Sequence, residues 1–234
     1  MQIRDRGGWW AATIPLALLS VLAAVLMGTA WLCDDAYISL RVADNWANGY
    51  GLRWNVDERV QVFTHPLWLL LLSIGRLLSN EVYYSTLLLS IAVSLLAAAA
   101  AFSLSRNAAT GMLVIGLLLS SRAWIDFSTS GLENPLIHLL LAFHVWGYTR
   151  TTGRQRLLLQ TLGASLLATT RMDTLLLALP SLLAATVGIP RRQLARMLFL
   201  GAAPFLLWEL FSLIYYGALF PNTAYAKLGS GIPR

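Results

Sequence analysis

Asp34 and Asp35 stand side by side where a 24-residue apolar run, Trp9 to Leu32, gives way to a polar segment. A carboxylate pair held at a membrane surface is a candidate site for proton transfer. Adjacent positions on a helix point about 100° apart, so the two do not face each other as the acid and base pair of a glycosidase. One can face a cavity while the other accepts backbone N–H bonds at the start of a helix opening at Ala36. Asp34, at the end of the span, is the better candidate for a general base tuned by partial desolvation, and Asp35 for the cap.

Further polar groups gather at other apolar boundaries. His65 precedes Pro66, and Glu133 lies in the stretch Ser128 to Pro135. Arg171 and Asp173 join two short apolar runs, and Asn222 and Lys227 follow the last run. Charged groups near membrane depth are costly, and they are paired or functional. Arg171 with Asp173 reads either as a structural ion pair or as a functional one, and Lys227 as a snorkelling cation or a ligand contact. Glu209, inside the last apolar run, is either a buried helix contact or a substrate contact. His138 and His144 sit within apolar helix and read as packing residues. No spacing resembles a metal site such as H-E-x-x-H, and Cys33, the single cysteine, allows no internal disulfide and no metal cluster. No cofactor is therefore assigned, though the chemistry leaves room for a divalent cation.

The elements that position these groups follow from composition. The chain is 57% hydrophobic and 12% charged, with a mean hydropathy of +0.64, far from the charged fraction near a quarter of soluble domains. It reads as an all-α polytopic membrane protein. The net charge of +6 comes from 16 arginines and one lysine scattered in short clusters between apolar runs. That is a membrane-loop pattern and not a nucleic-acid face. The first run is too long for a signal-peptide core and suits an uncleaved anchor crossing roughly 30 Å of hydrocarbon.

Seven runs are expected to span: 9–32, 82–105, 108–125, 132–149, 157–170, 174–188 and 197–216. An eighth, Pro66 to Ser79, would be only about 21 Å long as a helix. Laid in the interface, it puts Arg4, Arg6, Arg106, the loop Arg150 to Arg156 and the loop Arg191 to Arg196 on one side, the cytoplasmic one by the positive-inside rule. Nine of the eleven acids then fall on the other side. Leu67, Leu70, Leu71, Ile74, Leu77 and Leu78 recur at helical spacing, as an interfacial helix needs. Residues 36–48 form a second amphipathic helix, with Ala36, Leu40, Ala43 and Ala47 on one face and Tyr37, Arg41, Asp44 and Asn48 on another. The segment 33–81 is thus an extracytoplasmic loop carrying two interfacial helices, within a single membrane-embedded module over 1–234.

Asp34-Asp35-Ala36-Tyr37-Ile38-Ser39-Leu40-Arg41, Gly49-Tyr50-Gly51-Leu52, Trp54-Asn55, Glu58-Arg59-Val60 and Thr64-His65-Pro66-Leu67-Trp68 resemble the first outer loop of the GT-C glycosyltransferases, in particular the bacterial arabinofuranosyltransferase-like group. Thr129-Ser130-Gly131-Leu132-Glu133-Asn134-Pro135-Leu136, Arg171-Met172-Asp173 and Pro221-Asn222-Thr223-Ala224-Tyr225-Ala226-Lys227 look like later blocks of that group, in the same order. The resemblance implies an inverting enzyme of the bacterial cytoplasmic membrane. Such enzymes move a sugar from a polyprenyl-phosphate donor to a glycan or protein acceptor on the extracytoplasmic face. It implies Asp34 as base and Asp35 as support, with His65, Arg171 and Lys227 near the lipid phosphate. Glu133, Asp173 and Asn222 are carried as further substrate contacts. The family usually runs to about twice this length or more, so the chain is expected to be an N-terminal portion. The rival reading is a non-enzymatic transporter or lipid flippase. Transporters place ionisable groups near the midplane, often with an internal repeat, whereas these acids gather at one surface and no repeat is visible.

Overall fold

The computed structural model describes residues 10–227 and 229. Arg4, Asp5 and Arg6, on which part of the charge parity rests, lie outside the described residues, as does the side chain of Lys227. The described residues form helices and connecting turns, with no strand among them: α1 (Trp10–Gly28), α2 (Ala36–Ala47), α3 (Pro66–Ser79), α4 (Tyr83–Leu104), α5 (Ala108–Ser120), α6 (Arg122–Thr129), α7 (Asn134–Arg150), α8 (Gly153–Thr170), α9 (Leu175–Thr186), α10 (Arg191–Tyr216) and α11 (Asn222–Lys227). A short 3-10 turn, Met172–Thr174, links α8 to α9.

Two of these helices, α4 and α10, are long and apolar enough to cross a membrane, and α5 with α6 makes a third if the bent pair counts as one span. The expectation of about seven spans is therefore met only in part. The run 108–125 is not one helix. Ser121 leaves helical geometry and its hydroxyl caps α6 by accepting from the Trp124 N–H at 3.3 Å, and the chain bends by 75° there. The run 174–188 yields a 12-residue helix, about 18 Å long, and α1 stops at Gly28 rather than Leu32.

The run 157–170 lies inside α8, whose place explains its polarity. α8 packs on α10, α7, α9 and α3, so it is surrounded by protein. Gln160, Thr161, Ser165, Thr169 and Thr170 are all buried on it, and most bond to carbonyls of their own or a neighbouring helix. Small residues let the neighbours close in, as lipid-embedded helices require. A Cβ on Gly201 of α10 would meet the Thr161 side chain at 2.6 Å.

α3 starts at Pro66, where the missing N–H and fixed φ suit the first helical turn. Its expected apolar face is the open one: Ile74, Leu77 and Leu78 are exposed, whereas Trp68, Leu69 and Leu72 on the other side are buried. That is the arrangement of a helix with one face toward lipid. The apolar face of α2 is covered by protein: Ala36, Leu40 and Ala43 are buried together with Ser39 and Val42, and the helix packs against α3. The cause is a tight turn on the opposing segment. Gly131 has φ +81°, and a Cβ there would come 2.7 Å from Ala36 Cβ. The Gly131 carbonyl accepts from Trp68 Nε1 at 2.9 Å, and the Ser130 carbonyl accepts from the Cys33 N–H at 2.9 Å. These bonds fasten the aspartate turn and α3 to the start of α7.

Gly131→Ala should therefore destabilise the protein by more than about 1 kcal/mol, since it adds a strained φ to a clash. Thermal unfolding in detergent micelles would show it, with Gly116→Ala, where a Cβ meets nothing within 4 Å, as the neutral comparison.

Candidate active site

The blocks singled out above converge on one cavity of about 770 Å³. Its wall is built from the start of α2 (Asp35, Ser39), the segment leading into α3 (Gln61 to Pro66), the turn before α7 (Leu132, Glu133), the α8–α9 junction (Arg171 to Asp173), α10 (Phe205, Trp208, Glu209) and the turn into α11 (Pro221, Thr223, Ala224). The loops with Arg150 to Arg156 and the first turn of α10 with Arg191 lie at the far ends of α7, α8 and α10 from this cavity.

Glu133 is the buried charge at the centre, with only 5% of its surface exposed. One of its oxygens, Oε1, accepts from Arg171 Nη1 at 3.3 Å, and the other, Oε2, faces His65 Nδ1 at 3.3 Å. The second ring nitrogen, Nε2, lies 2.6 Å from Ser39 Oγ. A carboxylate oxygen opposite Nδ1 favours the tautomer with its proton there, which leaves Nε2 to accept from the serine hydroxyl. Burial lowers the His65 pKa below its usual 6.5, outweighing the upward pull of Glu133, so the ring is neutral at pH 7. Arg171 Nε donates to both oxygens of Asp173, at 2.9 and 3.1 Å. This pairing, first of several causes, raises the guanidinium pKa further.

Asp35 and Asp34 part company. Both are exposed, but Asp35 belongs to the cavity wall and Asp34 does not. Asp35 occupies the N-cap position of α2 without a side-chain capping bond, so its carboxylate is not spent on the helix as capping would require. His65, Glu133, Arg171 and Asp173 are brought together. Asn222 is exposed, and its backbone N–H donates to the Gln61 carbonyl at 2.9 Å, so what it contributes here is the seating of α11. The backbone of Lys227 ends α11.

Glu209 lines the cavity, half-buried, and forms no ion pair or hydrogen bond among the described residues. His144 is buried and lies 2.7 Å from Ser181 Oγ, and His138 stacks on Trp124, both packing roles. Ser39 is the contact that motif reading passed over. Its signal was a hydroxyl placed among Ala36, Leu40 and Ala43 on the apolar side of α2. Among the described residues no group of three or more His, Cys, Asp or Glu side chains is placed to hold a metal ion. A second, apolar cavity of about 530 Å³ adjoins the first, sharing Pro66, Thr169 and Trp208 with it.

Glu133→Gln removes the partner of a largely buried pair and should cost roughly 2–3 kcal/mol, less than the 3–5 of a fully buried pair because Arg171 is half exposed. Asp173→Asn, at an exposed pair, should cost under about 1 kcal/mol. Denaturant titration in mixed micelles separates the two. The neutral His65 has a pH signature as well. With its pKa lowered in the folded state, the unfolded chain takes up the proton first as pH falls below about 6.5. Its contribution is full above that pH and declines from there toward its lowered folded pKa. The difference in stability between wild type and His65→Gln should shrink over that window.

No known family model matches the chain, and no solved structure does. It is similar to the terminal β-(1→2)-arabinofuranosyltransferase of Mycobacterium tuberculosis, with 30% identity over 243 residues. The alignment covers 91% of this chain, and the chain spans 38% of that protein's length. The likeness supports, distantly, assignment of this helical membrane protein to a glycosyltransferase family.

Proposed function

We propose that the chain is the catalytic module of a GT-C-type glycosyltransferase that takes a sugar from a polyprenyl-phosphate donor and places it on a glycan or protein hydroxyl at the extracytoplasmic face. The observation that carries this reading is the meeting of Asp35, His65, Glu133, Arg171 and Asp173 in one cavity that adjoins an apolar one. The polar cavity suits a sugar and an acceptor hydroxyl, and the apolar cavity suits a prenyl chain. The name of the mycobacterial relative points to arabinofuranose as the sugar.

The reaction needs one base and no strong acid. As the acceptor oxygen attacks the anomeric carbon, the bond from that carbon to the phosphate oxygen breaks and its electron pair leaves with the polyprenyl phosphate. The acceptor proton passes to a carboxylate. A single displacement inverts the anomeric centre. Within the aspartate pair the base is Asp35, the member on the cavity wall, with Asp34 beside it supporting the negative potential. The resemblance alone assigns these two roles in the opposite order.

The leaving phosphate needs cations, and here the wall is spare. Four carboxylates, Asp35, Glu133, Asp173 and Glu209, face it with one guanidinium, and two of them already share Arg171. Arg171 bonds Asp173 and Glu133 through Nε and Nη1, and its remaining Nη2 is the donor left for a phosphate oxygen. Lys227, at the end of the short helix that borders the cavity, supplies the second charge. A divalent cation brought with the donor phosphate would relieve the same surplus of negative charge.

Transfer from a short-chain polyprenyl-phosphoryl arabinofuranose to an arabinan acceptor is the assay. Asp35→Asn should lose at least about 100-fold in kcat and Asp34→Asn clearly less, with the product anomer inverted by NMR. A total loss confined to Asp34→Asn would return the base to that residue, and wild-type turnover in both variants would remove the pair from the mechanism. Lys227→Met and Arg171→Gln should weaken donor use, whereas Arg154→Gln, at the far end of α8, should not.

A further inference from the structure

Glu209 is the one charged residue of the cavity wall that belongs to a helix long and apolar enough to span the membrane. Tyr216 closes that helix seven residues later, so the carboxylate sits about 10 Å in from the helix end. A charge at such depth is expensive unless it is paired or used. Of the other carboxylates of the wall, Glu133 has Arg171 and faces His65, Asp173 has Arg171, and Asp35 is exposed at the start of α2. Glu209 has no ion pair or hydrogen bond among the described residues, and it is half-buried. A structural helix contact, the other role open to it, would show a partner.

Its neighbours say what it faces. Trp208 beside it, Phe205 one turn back and Phe220 line the same cavity. A carboxylate set among aromatic faces can accept hydrogen bonds from two adjacent hydroxyls while the rings cover the C–H side of a sugar ring. It repels anions, and it has no donor of its own when ionised. We infer that Glu209 and Trp208 form a subsite for a neutral sugar with vicinal hydroxyls, in which Glu209 accepts from those hydroxyls and excludes sugars that carry a carboxylate or phosphate on the ring.

This rests on the glycosyltransferase reading and adds to it the residues that hold the sugar and reject an anionic one. Glu209 acts in binding and orientation and takes no proton from the acceptor. Its position next to Trp208, which also borders the apolar cavity, places the sugar at the junction between the prenyl chain and Asp35.

Binding measurements separate this inference from the catalytic one. Three probes are titrated against the protein in lipid nanodiscs: farnesyl phosphate, farnesyl-phosphoryl arabinofuranose, and a farnesyl-phosphoryl uronic acid. In wild type the neutral sugar should tighten binding over farnesyl phosphate by at least about tenfold, the scale of charge-assisted hydrogen bonds, and the uronic acid should not. In Glu209→Gln most of the tenfold increment should vanish, farnesyl phosphate should bind no more weakly than before, and the uronic acid should gain more than farnesyl phosphate does as repulsion at the sugar is removed. A merely structural glutamate would not produce that last change. A sugar increment intact in Glu209→Gln, or affinity for farnesyl phosphate lost with it, would overturn the subsite and leave the glycosyltransferase reading standing. If wild type bound neither farnesyl phosphate nor the arabinofuranosyl probe, both readings would fall together.

Discussion

The structure depends on satisfying one buried carboxylate, Glu133, with partners from the protein itself. Removing an ionised carboxylate from water costs several kcal/mol even after relaxation, so the fold must bring it partners from elsewhere in the chain. Arg171 arrives from the α8–α9 junction and His65 from the N-terminus of α3. Glu133 itself is set at the start of α7, where Pro135 opens the helix. Three segments far apart in sequence are thereby held at one point, and the aspartate turn is tied to the same point through Ser130 and Gly131. The geometry of the cavity is a consequence of satisfying that charge.

The same logic shapes the helical frame. α8 carries glutamine, serine and threonine along its length and would be a poor lipid-facing helix. Ringed by α10, α7, α9 and α3, it bonds those groups internally and becomes the polar axis on which the less polar helices pack. The lipid-exposed surface falls instead to α10, α4 and the outer face of α3, where leucines remain open. A membrane protein with a polar core and apolar shell can hold a hydrophilic cavity at one end without exposing its backbone to hydrocarbon.

Neutrality of His65 matters to this arrangement. A protonated ring would put a buried positive charge close to Arg171 as well as Glu133, where desolvation already opposes it. Kept neutral, it links Glu133 to Ser39 and fixes α2 against α3 without changing the charge of the site. The cavity then carries more negative than positive groups, which suits the hydroxyl recognition and proton abstraction of the proposed reaction.

Much of this was legible in sequence because apolar runs, helix-starting prolines and charged groups at their boundaries follow from local chemistry. The membrane class, the limits of α3, the amphipathic character of α2 and the blocks around Asp35, Glu133, Arg171 and Asn222 are all of this kind. What local chemistry could not supply was which partner each polar group finds. Whether Asp34 or Asp35 meets the cavity turns on the rotation of α2, set by the close approach of Gly131 to Ala36. That Ser39 joins His65, that Glu209 faces a cavity and not a neighbouring helix, and that the run 108–125 breaks at Ser121 depend on contacts between residues far apart in the chain. Periodicity ranks the faces of a helix by polarity, but only packing decides what each face touches.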